Sequence, residues 1–221
     1  MEVMPYTADI DREFARHAPD ATAPAIVTSD WRAGLPVLAG RTVTLRELRL
    51  TDAMPLFTML TAEEVTRFIS PPPPSVDAFE RFILRANRER SAGNCVCFAV
   101  VPAGLETPVG LFQVRQLEPG WGTAEWGFAL GSAYWGTGAF VESAEAVLAF
   151  TFETLGVNRL EGRATVRNGR GIAALRKIGA VQEGTLRRSF LRQGVYHDQV
   201  LYAVLADDWR AARQPARIPI H

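Results

Sequence analysis

The stretch Thr123–Gly156, TAEWGFALGSAYWGTGAFVESAEAVLAFTFETLG, decides how the rest of the chain is read. Its opening alternates. Ala124, Trp126, Phe128 and Leu130 share one parity, and Glu125, Gly127 and Ala129 the other, the period of two that marks a strand. The run Gly131-Ser132-Ala133-Tyr134-Trp135-Gly136-Thr137-Gly138 breaks that alternation. From Ala139 the period becomes helical. Phe140, Val141, Ala144, Val147, Leu148, Phe152 and Leu155 form one apolar stripe, Glu142, Glu145 and Glu153 lie off it, and Gly156 ends it. A glycine loop that opens a helix presents unpaired backbone N–H groups, which favour negative charge. Gly136 and Gly138 carry no Cβ, so a diphosphate could approach the backbone closely there. The plainer reading is glycines that only turn the chain. The loop is not a nucleotide-kinase loop, because no Gly-Lys-Ser/Thr follows. It is not a dinucleotide G-x-G-x-x-G either, since Phe140 and Val141 follow Gly138 and Ala139.

The flanks supply the rest of the fold. Upstream, Thr42–Leu48 alternates as a strand, Thr51-Asp52 offers an N-cap, and Ala53–Leu60 follows as a short helix with Pro55 in its first turn. The tetraproline Pro71–Pro74 excludes helix and predicts extended chain. Ser75 then starts a helix running to about Arg90 with Val76, Phe79, Phe82, Ile83 and Ala86 as its stripe. Cys95–Val101, Val109–Leu117 and Ala124–Leu130, joined by Gly/Pro loops, predict an antiparallel meander. Downstream, Arg159–Val166 alternates again, so strand, helix and strand imply a right-handed parallel crossover. Asn168 precedes a short helix that Gly179 stops. Val181–Leu191 and Val195–Leu205 read as a closing hairpin around Gln193-Gly194, and Asp207-Asp208 caps a last helical turn holding Trp209. The fold class expected is α+β, one mixed, mostly antiparallel sheet with helices on both faces.

The chain has 221 residues, and the patterning divides it into a weakly patterned extension, 1–35, and a domain, 36–221. In the extension Asp11–His17 reads as one short helix. Tyr6, Phe14 and Trp31 leave three readings open: a docked arm, a homodimer contact, or a lid. Lys plus Arg and Asp plus Glu are 24 each, so no overall field points to nucleic acid or to an anionic membrane. No apolar run approaches the ~20 residues that span a bilayer, and no signal-peptide pattern opens the chain, which predicts a cytoplasmic protein. The two cysteines, Cys95 and Cys97, share one strand face, and His17, His197 and His221 are scattered. Packed thiols are therefore expected and no metal site.

Glu125-Trp126-Gly127-Phe128 followed by Trp135-Gly136-Thr137-Gly138-Ala139 resembles the acetyl-CoA signature of the GNAT superfamily of N-acetyltransferases. The general signature is Gln/Arg-x-x-Gly-x-Gly/Ala; Trp135 and Phe140 depart from it, and the Trp-Gly-x-Gly form resembles the ribosomal-protein N-terminal acetyltransferase branch. The resemblance spans roughly residues 41–209 and includes Asn168-x-x-Gly171 with Gly179-Ala180, similar to the second motif of the family. It implies a GNAT-like sheet, acetyl-CoA as co-substrate and a primary amine as acceptor. By branch this would be a peptide or protein N-terminal amine. The alternatives are a small-molecule amine (polyamine, amino acid or aminoglycoside) and a CoA-binding module without turnover. It implies CoA contacts at Leu130, Trp135, Gly136, Thr137, Gly138, Ala139, Phe140, Asn168 and Gly171. Asn168 is also read as a helix cap. The tyrosine acid that many members carry seven residues after this asparagine is Leu175 here. Attack by a neutral amine needs a base. Glu125 is the first candidate, with amine binding or a plain surface ion pair as its other readings. His197, beside Asp198, is the second; its plainer reading is a polar pair at a loop edge.

Overall fold

The computed structural model describes residues 30–213. Tyr6, Phe14 and the expected helix at 11–17 lie outside them. Eight strands form one sheet: β1 (Leu38–Ala39), β2 (Val43–Glu47), β3 (Cys95–Pro102), β4 (Gly110–Gln116), β5 (Thr123–Leu130), β6 (Arg159–Thr165), β7 (Val181–Arg192) and β8 (Val195–Leu205). The spatial order is β1-β2-β3-β4-β5-β6-β8-β7. Every neighbouring pair is antiparallel except β5 and β6. That exception is the crossover read from the change of period at Ala139.

Helices cover both faces. α1 (Ala53–Leu60), α2 (Glu63–Thr66) and α3 (Val76–Ser91) lie on one, with Leu56, Phe79 and Ile83 packed against Cys97, Ala99 and Val101 of β3. α4 (Ala139–Ala149), α5 (Gly169–Lys177) and α6 (Ala206–Arg213) belong to the other, whose core holds Phe98, Phe112, Trp126, Val147, Leu175 and Trp209. β3 is therefore buried from both sides, which explains its unbroken apolar run. Both cysteines are free and buried, as two packed thiols.

Capping agrees with the sequence at one helix and not at another. Ser75 Oγ accepts the Ala78 N–H (3.2 Å) and starts α3 just after the prolines. Asp52 does not cap α1. A 3₁₀ turn, Leu50–Asp52, precedes that helix, so Asp52 has helical backbone angles rather than the extended ones a side-chain cap requires. Its buried carboxylate instead accepts both Arg46 Nη atoms (2.7 and 2.8 Å) and the Arg49 N–H (2.8 Å). The central helix also ends differently from its stripe. Phe150–Thr154 widens into a π turn, which buries Phe150 and Phe152 together, against Phe98 and Trp209 respectively. The hairpin turn falls at Gln193 (φ 48°) and Gly194 (φ 77°), two left-handed residues in succession, as a two-residue I′ loop needs.

The segment before β1 is anchored to the core at Trp31 and Leu35. Trp31 meets Trp121 edge-on at 5.6 Å, and the buried Arg90 donates to the carbonyls of Trp31 and Arg32. No helix among the described residues is long and apolar enough to cross a membrane.

Candidate active site

β5 is held unequally along its two edges. β4 pairs with it over its whole run, from Gln116↔Ala124 to Gly110↔Leu130. β6 pairs with it only at Thr123↔Arg159, Ala124↔Leu160 and Glu125↔Glu161, and then continues along β8. Past Glu125 the two parallel strands diverge. Trp126 sits at the fork with its indole against Gly162 of β6, where an added Cβ would come within 2.6 Å of Trp126 Nε1. Glycine at 162 thus admits the wedge. From Gly127 to Leu130 the groups on the β6 side of β5 have no strand to pair with, since an antiparallel partner satisfies only one edge.

Two clefts meet at this edge. The first has a volume of about 990 Å³ and lies between the 64–69 segment, the end of β5, the glycine loop and α5. Gly136 (φ 77°) and Gly138 (φ 91°) are left-handed, and a Cβ at either would meet no atom within 4 Å. They are glycines for backbone conformation, and they face open space. Gly138 is the N-cap of α4 and offers no side chain to the first-turn N–H groups. Thr137 Oγ1 donates to the Tyr134 carbonyl (2.9 Å) and accepts a long contact from the Ala139 N–H (3.4 Å), which stiffens the loop. Arg67, Arg170 and Lys177 add positive charge against Glu64, whose carboxylate accepts the Ser132 hydroxyl (2.8 Å). The Arg170 guanidinium lies 3.7 Å from the Trp135 ring centroid, and the indole N–H of Trp135 donates to the Leu130 carbonyl (3.0 Å).

The second cleft, about 950 Å³, opens on the α1–α3 side. Its walls are the tetraproline run, α3, Gln113 and Arg115 of β4, Glu125–Ala129, and Arg163 of β6. Phe68, Ile69, Phe128, Ala129, Asn168 and Gly171 line both clefts, so the two are continuous.

Of the residues expected to contact CoA, Leu130, Trp135, Gly136, Gly138, Phe140, Asn168 and Gly171 line the first cleft. Thr137 and Ala139 do not; one closes the loop and the other is buried. Asn168 caps α5 through Oδ1, which accepts the Gly171 N–H (2.9 Å). An added Cβ at Gly171 would lie 2.5 Å from Asn168 Nδ2, so glycine there makes room for that side chain. Glu125 lines the second cleft, 3.4 Å from Arg163 Nε. His197 stands on β8 opposite Phe190 and lines neither cleft; it is not brought together with Glu125. Arg67, Arg170 and Lys177 escaped sequence reasoning. The available signal was the seven-residue spacing of Arg170 and Lys177 at the two ends of the helix expected after Asn168, and both fall within α5.

The acetyltransferase (GNAT) domain family matches residues 42–181, most of the chain, and the protein belongs to that family of acetyltransferases. It is 25% identical over 168 residues to "Uncharacterized N-acetyltransferase p20" of Bacillus licheniformis, covering 76% of this chain and 94% of that protein. It is 25% identical over 178 residues to "Putative ribosomal N-acetyltransferase YdaF" of Bacillus subtilis (strain 168), covering 77% and 95%. Among solved structures, Mycobacterium smegmatis RimJ in complex with CoA-disulfide superposes with a TM-score of 0.68 at 21% identity, over 80% of this chain and 91% of that one, a likeness of fold. GNAT acetyltransferases use acetyl-CoA.

Proposed function

We propose that the protein transfers the acetyl group of acetyl-CoA to a primary amine, and that the acceptor is a peptide or protein N-terminal amine. The observation that carries this reading is the meeting of two clefts at the unpaired edge of β5. A two-substrate transfer needs both partners held so that their reacting atoms touch, and proximity of that kind is a large part of the rate enhancement.

The first cleft suits acetyl-CoA on this chain's own features. The open glycines and the uncapped α4 N-terminus fit a diphosphate, and Arg67, Arg170 and Lys177 fit further phosphate charge. Asn168 keeps its Nδ2 donor beyond the cap it makes, at a position common to both clefts. Acetyl-CoA supplies an activated thioester. The unpaired N–H groups along Gly127–Leu130 are the donors that would hold its acyl arm and stabilise developing oxyanion charge. The neutral amine nitrogen forms the new C–N bond as the C–S bond breaks, CoA leaves as its thiolate, and the proton that the new amide nitrogen gives up passes to that thiolate.

Glu125 is the single carboxylate lining the second cleft among the described residues, and we assign it to binding the acceptor ammonium and taking, directly or through one water, the proton that must leave before the amine can attack. His197 has no such place. The peptide assignment draws on the ribosomal N-acetyltransferase name of one relative. A thiol-release assay with peptides and small amines, read alongside mass spectrometry of the acceptors, tests the reading. Acetylated peptide N-termini are expected. Binding of acetyl-CoA with no amine turned over would leave a CoA-binding module instead.

A further inference from the structure

The second cleft is electrically one-sided, and this bears on which amine it takes if, as proposed, it receives the acceptor. Arg81, Arg85, Arg115 and Arg163 line it, against Glu125 alone. The chain as a whole has 24 basic and 24 acidic residues, so the bias comes from placement and not from composition. Three elements deliver it. Arg81 and Arg85 are one turn apart on the face of α3 that also carries Ala78 and Phe82 into the cleft. Arg115 stands on β4 directly opposite Glu125. Arg163 comes from β6, where it is occupied by Glu125 at 3.4 Å and Glu161 at 3.7 Å. Arg81, Arg85 and Arg115 are in no ion pair among the described residues.

Water solvates these three guanidinium groups, so leaving them unpaired costs little. Their convergence is what matters. The remaining walls include Phe68, Phe82, Phe190 and the proline run, and low-dielectric walls focus the field of the charges they surround. An acceptor bringing further positive charge would meet unpaired like charge from α3 and from β4, and such juxtapositions are strongly disfavoured. A carboxylate would meet planar forks that pair with it in two-point fashion. Distances agree. Cross-strand neighbours such as Glu125 and Arg115 have Cβ atoms about 5 Å apart. One extended residue advances about 3.4 Å. An amine held at Glu125 therefore brings the second or third residue of a peptide alongside Arg115, with Arg81 and Arg85 on the α3 wall of the same cleft.

We infer that the acceptor is an amine accompanied by carboxylates, in the form of a peptide N-terminus with acidic side chains in its first few residues. The test compares kcat/KM for short peptides that share a first residue and continue with two glutamates, two glutamines or two lysines, with free glutamate and spermidine as small-molecule arms. The expected order is acidic, neutral, basic, with about tenfold between the first two at low salt and less at high salt. In the double variant Arg81→Glu/Arg85→Glu the acidic and basic peptides exchange places, while a retained acetyl-CoA melting shift shows that the variant is folded. Peptides acetylated without regard to charge, or spermidine as the best acceptor, would overturn the inference while leaving the transferase reading in place. Free glutamate as the best acceptor would keep the anionic acceptor and discard the peptide. If no amine is turned over, the transferase reading fails on its own, and calorimetric binding of the acidic over the basic peptide still decides the inference. Equal or absent binding overturns it.

Discussion

The two clefts that meet at β5 are built from different materials. The first cleft, proposed for acetyl-CoA, is organised around backbone: left-handed glycines, the start of α4, which Gly138 leaves without a side-chain cap, and the strand edge that β6 abandons after Glu125, with the side chains of Arg67, Trp135, Arg170 and Lys177 around them. The acceptor-side cleft is made of side chains from α3, β4, β5, β6 and the proline run. Backbone groups have fixed geometry once the fold forms, so the first cleft suits a ligand that does not vary. Side chains can be exchanged singly without disturbing the sheet, so the second, as the proposed acceptor site, is suited to setting specificity. If this division is right, each cleft should be breakable alone.

The largest effect is expected from Gly138→Val. Its φ of 91° is costly for any L-residue, by roughly 1–2 kcal/mol, and the new side chain projects into the open cleft. Wild-type protein should gain about 2.7 kcal/mol of stability at a hundredfold excess of acetyl-CoA over its dissociation constant. The variant should melt somewhat lower without ligand and show no shift with it. A shift of wild-type size in the variant would remove the glycine loop from the site.

Glu125→Gln should break the other cleft and spare the first. Shape is kept and charge is lost. As a base, Glu125 contributes on the order of 10²–10⁴-fold to turnover, partly recovered at high pH where more free amine exists. As a binding group it would raise KM and leave kcat unchanged. In either case the acetyl-CoA melting shift should match that of the wild type. Unchanged kinetics would reduce the carboxylate to a structural partner of Arg163.

This difference in materials also explains what was legible beforehand. The change of period at Ala139, the parallel crossover and the donor-side glycines could be read because backbone demands leave local marks: glycine where φ is positive, alternation where a strand lies half-buried. Asp52 misled because its cap signature is local, while its carboxylate is claimed by Arg46, six residues earlier on β2. Phe150 fell off the helical stripe because the π turn that buries it responds to Phe98 and Trp209, neither of which is local. The arginine wall of the acceptor cleft had no sequence signal, since Arg81, Arg115 and Arg163 are brought together only by tertiary folding. His197 looked eligible beside Asp198. The hairpin carries it to a strand position lining neither cleft, while Asp198 is spent accepting the Arg188 N–H (2.7 Å).

Asn168 sits where the comparison is sharpest, because it lines both clefts and also caps α5. Asn168→Ala removes the cap and should cost about 1 kcal/mol of stability. Asn168→Asp keeps the Oδ1 acceptor for the Gly171 N–H and exchanges the Nδ2 donor for a second acceptor. If the residue only caps, the aspartate variant should keep wild-type stability and acetyl-CoA affinity. If its amide also serves the ligand, stability should survive while affinity falls several-fold. The pair of variants therefore separates the two roles by which property moves.

The smallest effect tests whether α4 can be altered without touching either cleft. Glu142 lies in its first turn, beside the cleft-lining Phe140 and Val141 but outside both linings. It accepts the N–H (2.8 Å) and the hydroxyl of Thr42, and so ties the β1–β2 turn to the helix. Desolvation works to raise its pKa, but these hydrogen bonds and those from the backbone of Arg41 and Val43 outweigh it and hold the carboxyl below its ordinary value of 4.5. A group whose pKa falls on folding contributes stability above its unfolded pKa and loses that contribution as pH drops through the folded one. The Glu142 contribution should thus be full at neutral pH and fade below about pH 4.5. Because the pair is at the surface, Glu142→Gln should cost about 1 kcal/mol or less at pH 7 and nothing once the wild-type carboxyl is protonated. Melting curves of the two proteins should converge in acid, with equal acetyl-CoA shifts at pH 7. A constant gap across pH would show that the side chain stabilises by packing rather than by charge. A lost acetyl-CoA shift would show that the helix start cannot be perturbed without its ligand-facing side.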